Sequence, residues 1–410
     1  MSMENPLIKI GEICKIFSGG TPRRGIEGYY GGNIPWAKIG DIETAESGYL
    51  FSTKESITQE GLKSINNKIF QKNTIFLALY GSVGKTAIAG KEMATNQAIL
   101  GLIPKNPEVL YFKYLKYWLD FSKSELIGLA RGVALQNISA TIVKEYPIPL
   151  PSIEEQHRIV KILDLAQSLI EKRKQAISYL DDYINSTFFN MFIQNSEEKN
   201  IPCLELEKLS LKITDGVHAK PHYEESGVPF ISVKNITTTK LLFDDCKFVS
   251  LADHQKFTKR CKAEYNDILY TKVGATYGRA CIVDTKSEFS LYVSVSLIKP
   301  NKDLVDPAYL KSVLNSSFVK RQADKSVKGA GVPDLHLIEI KNFLIPLPTM
   351  ELQQKFAKSV LEVESLKQKM QTQLKEMEDN FQAELQRAFK GGRFLEMWNG
   401  FLESFRVKRE

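Results

Sequence analysis

"IPLPSIEEQHRIV" (Ile148–Val160) returns 197 residues later as "IPLPTMELQQKFA" (Ile345–Ala357), and this pair decides how the chain is read. Proline cannot lie inside a helix and interrupts a strand ladder, so each "IPLP" marks an extended stop. Ser152 and Thr349 then stand as helix N-caps, with Glu155 completing a capping box in the first copy. Beyond each junction neither Pro nor Gly occurs, up to about 193 in one copy and 390 in the other. A helix of that length measures about 60 Å at 1.5 Å per residue.

Working backwards, "RGVALQNISATIVKEYPIPLP" (131–151) aligns with "KGAGVPDLHLIEIKNFLIPLP" (328–348) at six identical positions. "LIPKNPEVLYFKYLK" (102–116) aligns with "LIKPNKDLVDPAYLK" (297–311), and "NIPWAKIGDI" (33–42) with "GVPFISVKNI" (227–236). The chain is written twice. Short β-rich runs such as "TIFLALYG" and "DILYTKVG" predict strands, and "EVLYFKYLKYWLDFSKSEL" and "DPAYLKSVLNSSFVKRQA" predict helices. Each half is therefore a mixed α/β unit of about 150 residues, within the usual size of a domain.

The long helices carry a heptad pattern. One row of the first holds Leu163, Ile170, Ile177, Ile184 and Met191; the other holds Ile159, Ala166, Arg173, Leu180 and Thr187. The second helix answers with Val360, Lys367, Leu374, Phe381 and Ala388, then Phe356, Val363, Met370, Met377 and Glu384. A seam kept for about five heptads implies a helical partner. Equal lengths and coincident registers make each helix the other's partner, antiparallel, in a dumbbell with pseudo-two-fold symmetry whose rod spaces the two units. Arg173 and Lys367 interrupt the seams and set register or face a partner subunit. The expected segments are 1–150, the first globular domain; 151–195, the central helix; 196–347, the second domain; 348–392, the C-terminal helix; and 393–410, a tail.

Composition narrows the function. Of 410 residues, 43% are apolar and 25% charged, as in a soluble globular protein. No run of eighteen apolar residues and no signal-like N-terminus is present, so neither a membrane span nor secretion is expected. Five scattered cysteines without a CxxC pair point to a reducing cytoplasm. The net charge of +7 is compatible with a polyanionic partner.

"LYGSVGKT" (Leu79–Thr86) raises a nucleotide-binding alternative. A phosphate loop needs its first glycine five positions before the glycine that precedes Lys, and that position is Leu79. The twin of "YGSVGKTAI" is "VGATYGRACI" (273–282), which keeps the glycines and a cation and has no Lys-Thr pair. What the copies share fits either a plain strand turn or a backbone-phosphate contact. An NTPase with a coiled-coil rod is the second hypothesis, and a purely structural linker the third. No G-x-G-x-x-G loop opens a helix, and no Asn or Asp is followed by two prolines and an aromatic residue, so no catalytic or cofactor site is expected. His218 and His222 are four apart, but Pro221 argues against a helical metal pair.

These features together resemble the specificity subunit of type I restriction-modification systems. The resemblance spans essentially the whole chain and is carried by "SGGTP" (18–22), "IPWAKIGDI", the glycine and "NI" of 132–138, "IPLPSIEEQ" and "AFKGG" (388–392). It implies two target recognition domains, each reading half of a split double-stranded DNA sequence. It further implies that the rods carry two adenine-methylating methyltransferase subunits, joined by motor-nuclease restriction subunits. S-adenosylmethionine, ATP and magnesium would then belong to those partners. The second copy departs from the first in having "LQQ" (352–354) for "EQH" (155–157), which weakens an expected partner contact. Loop donors and cations give the candidate DNA contacts: Ser18, Thr21, Arg23, Arg24, Trp36, Lys38, Ser82 and Lys85 in the first unit; Thr214, Asp215, His218, Lys220, Lys234, Asn235, Thr276, Tyr277 and Arg279 in the second.

Overall fold

A computed structural model describes residues 5–45, 48–130, 137–194, 201–328 and 331–390. The glycine stop at 391–392, the tail expected over 393–410 and the glycine of the 132–138 motif lie outside the described residues. The chain divides into two compact units, one formed by 1–172 with 374–410, the other by 173–373. Each unit therefore holds one globular body together with a segment of both long helices.

The first unit contains strands β1 (Leu7–Lys9), β2 (Cys14–Ser18), β3 (Tyr30–Ala37), β4 (Tyr49–Leu50), β5 (Glu55–Ile57), β6 (Ile75–Ala78), β7 (Thr86–Ala89), β8 (Ala94–Thr95), β9 (Ile99–Pro104) and β10 (Pro147–Pro149). They form sheets in the orders β2-β9-β6-β7-β4, β5-β3-β8 and β1-β10. The second unit contains β11 (Cys203–Glu205), β12 (Ser210–Asp215), β13 (Val228–Ile231), β14 (Lys247–Val249), β15 (Ile268–Thr271), β16 (Ala280–Ile282), β17 (Ser290–Leu291), β18 (Val295–Pro300) and β19 (Leu344–Pro346). Their orders are β12-β18-β15-β16, β14-β13-β17 and β11-β19. Apart from β4, the second set repeats the first strand for strand, including the parallel pairing of β3 with β8 and of β13 with β17. The sequence repeat is thus a repeat of topology.

Each "IPLP" enters its unit as an edge strand, where proline is tolerated. β10 pairs with β1, and β19 with β11, both antiparallel. Leu150 N then donates to Pro6 O at 3.0 Å, and Leu347 N to Pro202 O at 2.8 Å. A buried tyrosine from the helix after β9 (Phe112–Phe121) or β18 (Pro307–Leu314) grips each junction: Tyr114 OH donates to Pro149 O at 2.9 Å and Tyr309 OH to Pro346 O at 2.8 Å.

One glutamine at the start of each long helix completes the joint. Gln156 Nε2 donates to Val109 O (2.9 Å) and Pro151 O (3.0 Å), while its Oε1 accepts from Tyr111 N (2.8 Å). Gln353 Nε2 donates to Leu304 O (3.2 Å) and Pro348 O (2.9 Å), while its Oε1 accepts from Asp306 N (2.9 Å). Both side chains are buried, so each amide satisfies backbone groups that have no water to turn to. The departure of "LQQ" from "EQH" leaves this glutamine in place; it alters only the flanking positions, where His157 packs on Tyr111 at 4.1 Å.

The helices run Ile153–Phe188 and Met350–Lys390, and a π-turn over Phe189–Ile193 ends the first. Ser152 is the expected N-cap, with Glu155 N donating to its Oγ at 3.3 Å, whereas the Glu155 carboxylate pairs with Arg158 (3.3 Å) rather than closing the expected capping box. None of the seam residues is exposed. In the second unit Arg173 donates to Gln373 (2.8 Å), Asp181 accepts from Lys367 (2.6 Å), and Phe188 meets Phe356 (5.8 Å between centroids). Partner numbers fall as the first helix rises, so the segments are antiparallel. The two cationic interruptions pair across the seam and need no partner subunit. In the first unit Leu385 and Phe389 join Ile159 and Leu163 in one core, with Phe389 5.2 Å from Trp118. Phe192 and Phe356 are buried beside Tyr309 in the second core. Each such side chain contributes roughly 1.5–3 kcal/mol by leaving water.

Truncating either glutamine orphans three backbone groups. We expect Gln156→Ala and Gln353→Ala each to destabilise their own unit by about 2–4 kcal/mol, read by chemical denaturation. Exchange of the exposed neighbour Gln354 for Ala should be within about 0.5 kcal/mol of neutral.

Candidate nucleic-acid interface

The loop that follows the first sheet strand is pinned the same way in both units. Gly19 N donates to Ile99 O (3.2 Å) and Gly20 N to Thr95 O (2.8 Å); Gly216 N donates to Val295 O (3.3 Å) and Val217 N to Leu291 O (2.8 Å). A Cβ on Gly19 would lie 2.1 Å from Thr95 O, and one on Gly216 2.0 Å from Leu291 O. Only glycine allows this approach, which fixes where the following loop, 20–24 or 217–221, leaves the sheet.

In the first unit the fixed loop meets β3 and β5. Trp36 is buried and its Nε1 donates to Gly20 O at 3.0 Å, while Tyr30 OH donates to Pro22 O at 2.6 Å. The Arg24 guanidinium lies over both rings, 4.9 Å from Tyr30 and 5.2 Å from Trp36. Lys38 Nζ lies 5.4 Å from the Trp36 ring. One carboxylate, Glu55, pairs with both cations, with Arg24 at 2.9 Å. Burial, and then the nearby Arg24 charge, hold the Lys38 ammonium below its usual range. Thr21 donates to Gln97, Arg23 is exposed, and Ser18 is half-buried at the end of β2. Thr21, Arg24, Trp36 and Lys38, distant in sequence, are thus one patch.

The second unit builds a comparable patch around Asp215. This carboxylate is 3% exposed and takes Arg260 (2.6 Å) and His218 (3.2 Å) on one oxygen, with Lys272 (3.2 Å) on the other. Arg260 and His218 are exposed whereas Lys272 is buried. Asp215, His218 and Arg260, together with Lys256 and Phe257, line a surface cavity of about 330 Å³. Lys220 is exposed nearby in sequence, and Lys234 is exposed but paired with Asp245 at 2.9 Å.

Four of the sequence-chosen contacts sit inside the protein. Trp36 is a core residue and the repeat partner of buried Phe230. Asn235 is buried; its Oδ1 accepts from Ser232 N at 3.1 Å, as Asp41 Oδ2 accepts from Lys38 N at 2.8 Å. It caps a short turn rather than presenting an amide to adenine. Thr214 is buried in β12, and Asp215 is committed to Arg260, Lys272 and the His218 ring. Conversely, Glu55, Arg260 and Lys272 were not singled out from sequence. Lys272 stands beside the "VGATYGR" motif and was within reach of that reading; Arg260 lies some 45 residues from Asp215 and carried no signal.

The glycine loops are hairpin turns. Gly81 and Gly84 have φ of 64° and 77° in the link from β6 to β7, and Gly274 and Gly278 have 82° and 88° in the link from β15 to β16. Gly84 N donates to Ala78 O at 2.9 Å and Gly278 N to Thr271 O at 2.8 Å. A phosphate loop opens a helix; here Thr86 opens a strand and bonds to Asp120. This turn therefore lacks the geometry of a nucleotide-binding loop. Lys85 and Ser82 both reach Glu43, Lys85 at 3.9 Å. In the twin loop, Tyr277 OH donates to Asp324 at 2.6 Å, Thr276 O accepts from Thr271, and Arg279 is half-buried. Among the described residues no group of three or more His, Cys, Asp or Glu side chains could hold a metal, and no helix is long and apolar enough to cross a membrane.

Placing a methyl group at either pinned glycine should displace its loop. Gly19→Ala and Gly216→Ala are expected to cost about 2 kcal/mol or more in unfolding experiments, unlike Gly25→Ala, where a Cβ meets nothing within 4 Å.

Comparison with known proteins fits this architecture. The profile of the type I restriction modification DNA specificity domain matches residues 4–179 and again 215–377. The MjaIX type I restriction enzyme specificity subunit of Methanocaldococcus jannaschii is 27% identical over 366 residues, covering 85% of this chain and 84% of that protein. The MjaVIII specificity subunit of the same organism is 23% identical, covering 88% and 86%. A solved chain from work on complex assembly and conformational transition of the type I R-M system superposes with a TM-score of 0.62 at 17% identity, covering 95% of this chain and 98% of that one. The S subunit of the type I system of M. genitalium gives 0.50 at 16% identity, covering 96% and 98%. With one profile matched by each half and relatives matched nearly end to end, the chain belongs to the type I restriction-modification DNA specificity family, as a specificity subunit with two target recognition domains.

Proposed function

We propose that this chain is the non-catalytic, DNA-reading subunit of a type I restriction-modification complex, and that each unit reads one half of a two-part target. The observation that carries the reading is the duplicated unit: one strand order, made twice, with a glycine-pinned loop next to a carboxylate-held pair of cations each time. A reader of duplex DNA needs cations for phosphates and fixed polar groups for base edges. In the first unit Ser18, Thr21, Arg23, Arg24, Lys38, Ser82 and Lys85 remain the contacts; in the second they are His218, Lys220, Lys234, Thr276, Tyr277, Arg279 and the newly placed Arg260. Trp36, Thr214, Asp215 and Asn235 act through the residues they hold.

Methylation and cleavage belong, in this proposal, to two methyltransferase subunits and to motor-nuclease subunits, which would also carry S-adenosylmethionine, ATP and magnesium. Support comes from relatives named as specificity subunits of type I restriction enzymes and from a similar chain in a study of type I assembly. The cytoplasm, where such a system meets DNA, is the proposed location.

Exchanging residues 1–150 for those of a relative should change one half of the methylated sequence and leave the other half intact. A swap that altered both halves would refute independent reading. Lys85→Ala and Arg279→Ala should each weaken DNA binding and reduce its salt dependence by about 0.9 in log–log slope if they meet phosphate. ATP hydrolysis by the purified chain, abolished by Lys85→Ala, would contradict the non-catalytic assignment.

A further inference from the structure

The first unit holds a charge arrangement that DNA binding alone does not explain. Arg24 and Lys38 share one aromatic platform, and both are paired to a single acid, Glu55. The acid is not a core residue: about one-third of its side chain is exposed, as is that of Lys38, and over half that of Arg24. Two cations face one water-accessible carboxylate; the other acid beside Lys38, Asp41, is buried and already accepts from Lys38 N (2.8 Å) and Lys54 N (3.0 Å). Burial and the adjacent guanidinium disfavour charge on Lys38 more than Asp41 favours it, so the site gains from a further anion. A carboxylate and a phosphodiester oxygen accept hydrogen bonds from Arg and Lys in the same way. The platform is rigid, because Trp36 is buried and bonded to Gly20 O, so the cations stay aimed whichever anion sits on them.

We propose that Glu55 is an internal counter-anion that occupies Arg24 and Lys38 in the free protein and is displaced from them by a DNA phosphate. The proposal rests on the DNA-reading function and adds a competitor built into the chain. Binding at this unit opens two ion pairs as it makes two phosphate contacts. Glu55 thus weakens every binding mode that uses the two cations, and non-specific binding depends on phosphate contacts most heavily. A register whose base contacts add affinity overcomes the competitor; one that offers phosphates alone does so less readily. In this sense Glu55 is a specificity-determining residue that touches no base. Asp215 differs, since it is buried beneath Arg260 and Lys272 and cannot swing aside.

The test uses the full chain and a mixed-sequence 40-base-pair duplex as probe, with anisotropy titrations at two salt concentrations. Glu55→Gln removes one charge at nearly constant shape and should tighten binding by about three- to tenfold, the range of one or two part-exposed ion pairs. In a chain that also carries Arg24→Ala and Lys38→Ala, the same change should have no effect, since its partners are gone. Unchanged or weaker binding by a folded Glu55→Gln variant would overturn the proposal. Equal tightening in both backgrounds would also overturn it, by showing a long-range charge effect. If Glu55→Gln proves unstable, Glu55→Asp supplies the second reading: a shorter acid that reaches the cations less well should give a smaller tightening, and weaker binding would count against the idea. Failure here leaves the exchange of residues 1–150 to judge the DNA-reading function separately.

Discussion

A single buried amide joins each long helix to its globular body. The chain arrives at the helix through proline-punctuated, extended backbone, which cannot satisfy its own N–H and C=O groups. Gln156 and Gln353 take up that demand by binding three backbone groups each, one of them in the "IPLP" segment itself. The helix start, the edge strand and the loop before the helix that carries Tyr114 or Tyr309 become one joint. Without it the cores containing Leu163 and Phe389, or Phe192 and Phe356, have no fixed helix to pack against. That both copies keep the glutamine while changing its neighbours is what physics requires of a buried polar group with no water to replace it.

Electrostatics works at a different level. The candidate recognition faces are built from cations that are positioned by acids rather than left to roam. Arg24 is stacked on Trp36 and tied to Glu55; Arg260 is tied to Asp215. Immobilised cations lose less side-chain freedom when a phosphate arrives, which in the first unit offsets part of what the competing Glu55 costs. The modest net charge of +7 is consistent with this economy of cations.

Sequence made the architecture legible and the site only partly so. Duplication, the two helices and their antiparallel seam follow from period and proline, which act locally, whereas the glycine loops were open to both a plain turn and a phosphate contact. Arg173 and Lys367 were recognised as interruptions, but their partners Gln373 and Asp181 depend on packing. Trp36 and Asn235 were misplaced because indole and amide groups suit both a core and a base edge. The repeat held the correction: Trp36 aligns with Phe230, which has nothing to offer a base, and Asn235 with Asp41, which carries the same cap. Arg260 could not be found, since its role comes from an acid on a different element.

Two equivalent, separately anchored units are proposed to give this chain two independent readings of DNA. The decisive measurement is a map of methylated adenines across the genome of a host that expresses the chain with a methyltransferase subunit. The expected result is one recognition sequence made of two specified parts separated by unspecified bases, lost when the chain is absent. A single continuous motif, or a methylation pattern that persists without the chain, would contradict it.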